Sequence, residues 1–125
     1  MSFVLALALI QGAPATVVTG PEEPEIVVIA KKLKNWCGNW KVRKGQMTCK
    51  TTRSTGDGEI DAIGCSAILT CYGPQTAQIQ AIVDAKDKRD AKNARLTALF
   101  KETLPCITAA RNDGIAALGD RRAGQ

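Results

Sequence analysis

A chain of 125 residues has room for one small domain, and the absence of any histidine removes the Ser–His and Cys–His pairs that activate most nucleophiles. The net charge of +5 is unevenly spread: eight basic residues and no acid lie between Lys31 and Arg53, a block that attracts anionic partners. Five cysteines without histidine, the closest pair six residues apart, do not make a zinc pattern, so neither a metal nor a cofactor is expected.

The first sixteen residues, MSFVLALALIQGAPAT, read as a secretory signal over 1–15. Phe3 to Ile10 forms the apolar core, and Ala13-Pro14-Ala15 fits the cleavage site, although no Lys or Arg precedes the apolar run. The competing reading is a buried N-terminal strand or helix. A membrane span needs about 20 apolar residues and only about ten are present, so no transmembrane segment is expected. Export, to the periplasm or beyond, places the cysteines in an oxidising compartment where they pair. Five is odd, and one thiol is left over.

Residues 16–24 are rich in Pro, Gly and Glu and read as a flexible lead-in. A single α+β domain then spans 25–120. Glu25 to Leu33, EIVVIAKKL, is β-branched and apolar and is predicted to be the first strand of a small antiparallel sheet covering about residues 25–55. A turn at Lys44-Gly45 would set Trp40 opposite Cys49 and Cys37 opposite Thr52. STGDG ends the strands, and Asp57 or Gly58 caps a helix beginning near Glu59. Ile60, Ile63, Ala67 and Ile68 form its apolar stripe, and Tyr72-Gly73-Pro74 stops it. Gln75 to Thr103 is helical in pattern, with a charged middle, DAKDKRDAKN, that is either the exposed waist of one helix or a break between two. Pro105 is expected to open a last helix, giving three or four helices over about 59–118, and residues 121–125 to fray.

Asp57, Glu59 and Asp61 lie close together beside a turn, and helix capping and the helix dipole account for all three. The spacing fails the calcium-loop pattern, and GDGEID lacks a phosphate cradle, so no catalytic residue is assigned and the chain is read as non-enzymatic. Trp36 and Trp40 sit inside the basic block and belong either to the core or to a contact surface. The candidate binding surface is therefore Lys31, Lys32, Lys34, Trp36, Trp40, Lys41, Arg43 and Lys44. Its expected partner is an anionic envelope surface or an envelope protein, ranked above nucleic acid.

The stretch CKTTRSTGDGEIDAIGC resembles the strand–turn–helix segment of TonB-type C-terminal domains of α-proteobacteria, which run C-x-V-T-x-S-S-G-x-x-x-L-D-x-x-T-C. Cys49, Thr52, Ser54, Gly56, Asp61 and Cys65 match, with Thr55 and Ile60 as conservative changes. The resemblance covers about residues 46–72 and implies a disulfide joining Cys49 on a strand to Cys65 on a helix. The rise of strand and helix per residue instead places Cys49 nearer Cys71. With Cys49 and Cys65 joined, Cys71 and Cys106 form the second pair, tying the first helix to the last and leaving Cys37 free. Beyond Cys71 long helical sequence stands where the TonB domain has its closing strands, so energy transduction is not implied. Glu25 to Ala30 also resembles a TonB box, which implies a TonB-system accessory that binds by β-strand addition. As a whole the chain is similar to small exported proteins of sphingomonad-like α-proteobacteria.

Overall fold

The computed structural model describes residues 23–124. The signal-like segment 1–15 and most of the 16–24 lead-in lie outside the described residues. The fold is α+β: a two-stranded antiparallel sheet backed by helices and stapled by two disulfides.

The first element corrects the sequence reading. Glu25–Leu33 is helix α1, not a strand. Pro24 stands just before the first turn, and its carbonyl accepts from the amides of Val27 and Val28 at 3.0 and 3.2 Å. Ile26, Ile29, Ala30 and Leu33 recur at helical spacing, and Ile29 and Leu33 are fully buried. A run of β-branched residues lowers helix propensity by only a few tenths of a kcal/mol per residue, whereas burying Ile29 and Leu33 gains about 1.5–3 kcal/mol each. Packing against the rest of the chain therefore decides the conformation. Glu25 in the first turn and Lys31 and Lys32 in the last also suit the helix dipole.

Strand β1, Cys37–Arg43, and strand β2, Gln46–Arg53, form the hairpin. Lys44 and Gly45 both have positive φ, 52° and 76°, the requirement of the tight turn whose twist matches paired strands. Trp40 stands opposite Cys49 as expected, but Cys37 faces Arg53 rather than Thr52. A bulge at Cys37/Gly38 leaves Thr52 as the extra residue and shifts the last pair by one. The sheet thus covers 37–53, shorter than the predicted 25–55 by the segment that became α1.

Helix α2, Gly58–Tyr72, is the central element, burying Ile60, Ile63, Gly64, Ala67, Ile68, Cys71 and Tyr72. It packs against both strands, against α1 and against the long last helix. A 3-10 turn at Gly73–Gln75 leads into α3, Thr76–Asp84, where the Thr76 hydroxyl donates to the Gly73 carbonyl at 2.6 Å. The charged segment resolves as a break: Ala85 and Lys88 are extended, and α4 runs from Arg89 to Ala123.

Pro105 was expected to open a helix and instead lies inside this 35-residue one. A mid-helix proline removes one hydrogen bond and costs about 3 kcal/mol. Next to it Cys106 is bonded to Cys71, and on either side Leu99 and Leu118 are buried. These anchors hold the two halves in line. The helix also continues into the segment expected to fray, where Arg122 is tied to Asp57, Glu59 and Glu25.

Cys49 pairs with Cys65 and Cys71 with Cys106, with Cα separations of 5.6 and 5.8 Å. The competing Cys49–Cys71 pair rested on the rise per residue of strand and helix, walked back from the turn. In the structure a hydrogen-bonded turn over Ser54 to Asp57 joins the two elements, and Cys49 lies about 13 Å up the strand from Arg53. Cys65 is about 10 Å along α2 from Gly58, a matching distance. Asp61 closes that turn: it accepts from the Thr55 amide at 2.8 Å, the Thr55 hydroxyl at 2.7 Å and the Ser54 hydroxyl.

Candidate functional site

The alternation of the hairpin divides its side chains cleanly between two faces. Trp40, Val42, Met47 and Cys49 point inward and pack on the core. Trp40 makes edge contact with Phe100 at a centroid distance of 5.8 Å, and Phe100 with Tyr72 at 5.3 Å. Burial in this cluster pushes the Tyr72 hydroxyl above its usual pKa.

Trp36, just before β1, lies deeper still, at 6 % exposure. Its ring occupies a slot between Gly38 and Gly64, where an added Cβ would come within 2.4 and 2.5 Å of ring carbons. The indole N–H donates to the Thr51 hydroxyl at 2.9 Å, and the Arg111 guanidinium lies over the ring at 5.7 Å. Arg111 Nε is buried without a hydrogen-bond partner among the described residues, and the contact with the aromatic face is the favourable interaction the guanidinium has there. Both tryptophans that the sequence placed among the surface candidates thus belong to the interior. Their spacing in the basic block reflects two inward positions, not an aromatic contact face.

The remaining candidates separate into two groups. Lys31, Lys32 and Lys34 belong to α1 and its C-terminal cap, and Lys31 pairs with Glu23 at 2.5 Å. Lys41, Arg43 and Lys44 lie on the hairpin, and none of them forms an ion pair with a described residue. Because α1 packs on α2 and α4, the sequence-continuous basic block does not become one continuous strand surface. For Glu25 to Ala30 to join another sheet as a strand, α1 would have to unwind and Ile29 leave the core.

The hairpin's outer face contains more than the sequence candidates. Lys50 stands opposite Asn39, Thr48 opposite Lys41, and Gln46 opposite Arg43. Asn39, Lys41, Arg43, Thr48, Lys50 and Thr52 line a shallow depression of about 570 Å³, floored by Cys49. Among the described residues no carboxylate lines it. Lys50, Asn39, Thr48 and Thr52 were absent from the candidate surface, yet the Lys44-Gly45 turn, once it fixes the register, brings them there by simple alternation.

The acidic cluster is occupied by structural partners. The Asp57 side chain caps α2 by accepting from the amides of Glu59 and Ile60 at 3.1 and 3.4 Å. It also receives Arg122 at 2.8 Å, and this contact, more than the capping, holds its carboxyl below the usual 3.8. Glu59 takes Arg121 and Arg122 at 3.4 and 3.1 Å. Asp61 is held low chiefly by the Ser54 hydroxyl and then by the Thr55 amide. Arg122 is correspondingly more firmly protonated than a free arginine, mainly through Asp57.

Cys37 is an exposed free thiol at the start of β1. Among the described residues no group of His, Cys, Asp or Glu converges to hold a metal, and no helix is long and apolar enough to cross a membrane. Two disulfides fit an oxidising compartment outside the cytoplasm. No protein-family model matches this chain, and no curated protein or solved structure matches it either.

Proposed function

We propose that the protein is an exported, non-enzymatic binding module, periplasmic or secreted, that engages an anionic component of the cell envelope through the outer face of its hairpin. The observation that carries this reading is the unpartnered basic face. Lys41, Arg43 and Lys50 project from one side of the two strands, with Lys44 at the tip and Arg53 at the far end, and none pairs with a described carboxylate. Lys31, Arg95, Arg121 and Arg122 have acidic partners, while other exposed cations such as Lys101 have none among the described residues; the hairpin differs in gathering its unpartnered cations on one face with no carboxylate among the described lining residues. An exposed patch left positive raises the local concentration of anions and the rate of encounter with them.

Such binding depends on salt, because charges on an exposed face are screened over about 10 Å at 0.1 M ionic strength and much less at higher salt. The test is co-sedimentation of the full chain with envelope fragments and with vesicles containing anionic phospholipid. Binding is expected to fall about tenfold or more between about 0.05 and 0.5 M salt. It is expected to be lost in the variant Lys41→Glu/Arg43→Glu/Lys44→Glu. Binding that ignores salt and survives charge reversal removes the proposal.

A further inference from the structure

The depression on the hairpin combines two kinds of chemistry, and the combination narrows the ligand. Lys41 and Arg43 are two residues apart on β1, so about 7 Å separates them along the strand. Lys50, across from Asn39, is the diagonal neighbour of Lys41 at about 7–8 Å. Three cations are thus spread over the depression rather than gathered at one point. Between them lie the Asn39 carboxamide and the Thr48 and Thr52 hydroxyls. These neutral groups both donate and accept, which a site selected only for charge has no use for.

Two other anionic partners fit less well. Bases of a single-stranded nucleic acid bind by stacking on aromatic rings, and the described aromatics near the hairpin face the other way: Trp36 is in its slot and Trp40 sits against Phe100. Insertion into a lipid surface needs exposed apolar side chains beside the cations, and Cys49, at the floor, is bonded to Cys65 and faces the core. What matches is a hydrophilic molecule with anionic groups for the cations and hydroxyls for the threonines and asparagine. Arg43 adds the planar donor pair suited to phosphate oxygens.

We infer that this depression binds a phosphorylated saccharide, with Lys41, Arg43 and Lys50 holding the phosphates and Asn39, Thr48 and Thr52 the sugar hydroxyls. The inference rests on the proposed anion-binding role of the same face and adds the identity of the ligand. The same chemistry is offered by a soluble phosphorylated sugar and by the headgroup of an anionic glycolipid.

The experiment titrates the full chain with five probes: a deacylated diphosphorylated disaccharide, the same disaccharide without phosphate, inorganic phosphate, phosphatidylglycerol vesicles, and vesicles carrying the corresponding phosphorylated glycolipid. The diphosphorylated disaccharide is expected to bind at least about tenfold tighter than either of its parts, since one hydrogen bond to a charged group is itself worth about that factor. The variant Thr48→Val/Thr52→Val keeps β-branched side chains in the strand, so the fold is preserved. It is expected to weaken the disaccharide about tenfold while leaving phosphatidylglycerol binding unchanged. Lys50→Gln is expected to weaken all phosphate-bearing probes. If the glycolipid vesicles bind and the soluble disaccharide binds equally well per site, the headgroup alone is the ligand; if only the vesicles bind, the saccharide assignment falls. Equal binding to phosphatidylglycerol, insensitive to the threonine changes, also overturns it while leaving the anion-binding role standing. Binding to none of the probes and to no envelope fraction overturns both.

Discussion

One hairpin presents two faces under opposite demands. Its inward residues, Trp40, Val42, Met47 and Cys49, are locked against helices and, at Cys49, bonded to one. Its outward residues, Asn39, Lys41, Arg43, Thr48 and Lys50, are exposed, and the cations among them have no described ionic partner. The inner face shows what the fold requires: apolar volume, a staple, and glycines where a ring passes between two elements. The outer face shows what the fold does not require, and a concentration of positive charge there repels itself slightly without adding structure. A property that folding does not explain is where binding is best sought.

The largest effects should come from the helical wall behind the inner face. Replacing Cys71 and Cys106 with serine releases a link between positions 35 apart in sequence and is expected to cost about 4 kcal/mol by chain entropy. Losing Cys49–Cys65, with a separation of 16, is expected to cost about 3 kcal/mol. Urea unfolding of each double variant under non-reducing conditions checks the order; equal and small losses would mean that packing alone holds the hairpin to α2.

Next comes the Trp36 slot. Gly64→Ala puts a methyl group about 2.5 Å from ring carbons, and the ring cannot retreat because Gly38 closes the other side. A loss of about 3 kcal/mol is expected, at the upper end of ordinary overpacking, with a red-shifted tryptophan emission if the ring is expelled. Gly45→Ala, at the exposed turn, has no neighbour to strike and loses only the preference of glycine for positive φ, about 1–2 kcal/mol.

Smaller effects belong to the junction between β2 and α2. Asp57→Ala removes the cap and is expected to cost about 1 kcal/mol. Asp57→Asn keeps a capping side chain but cannot carry the charge that faces Arg122. The folded carboxyl titrates below 3.8, so its ionised form stabilises the fold above about pH 4 and that contribution disappears as pH falls through the lowered value. Stability of the natural protein should therefore drop more steeply below about pH 4 than that of Asp57→Asn, in urea titrations at several pH values. Parallel curves would mean that the Arg122 contact contributes nothing.

The order of legibility follows the range of the interactions involved. The cap at Asp57, the stripe of α2 and the hairpin turn at Lys44-Gly45 are local, set by residues a few positions apart, and all three were readable. Glu25–Leu33 was misread because strand propensity and helical spacing coexist in EIVVIAKKL, and the choice is made by α2 and α4, which lie far along the chain. Pro105 was misread for the same reason: a disulfide to Cys71 and buried leucines on both sides outweigh a local breaker. The outer face was half readable. Lys41 and Arg43 were visible as charge, but Trp36 and Trp40 were counted with them because their inward orientation depends on a register and on two glycines. Lys50 was left off the surface although alternation from the turn would have placed it there.

The smallest change in stability should come from the change expected to abolish binding, and that contrast tests the division between the faces most directly. In Lys41→Glu/Arg43→Glu/Lys44→Glu no buried contact is removed, since all three side chains are exposed. Glutamate at 41 gains Lys50 as a diagonal neighbour, and the left-handed conformation at 44 is as unfavourable for glutamate as for lysine. The unfolding free energy is expected to stay within about 0.5 kcal/mol of the natural protein, the usual range for surface substitutions. Binding to anionic envelope material is expected to disappear. If stability instead falls by about 2 kcal/mol or more, the cations support the hairpin itself and the outer face answers to the same demands as the inner one. If stability holds and binding goes, the positive charge is there for a partner, because the fold is indifferent to it.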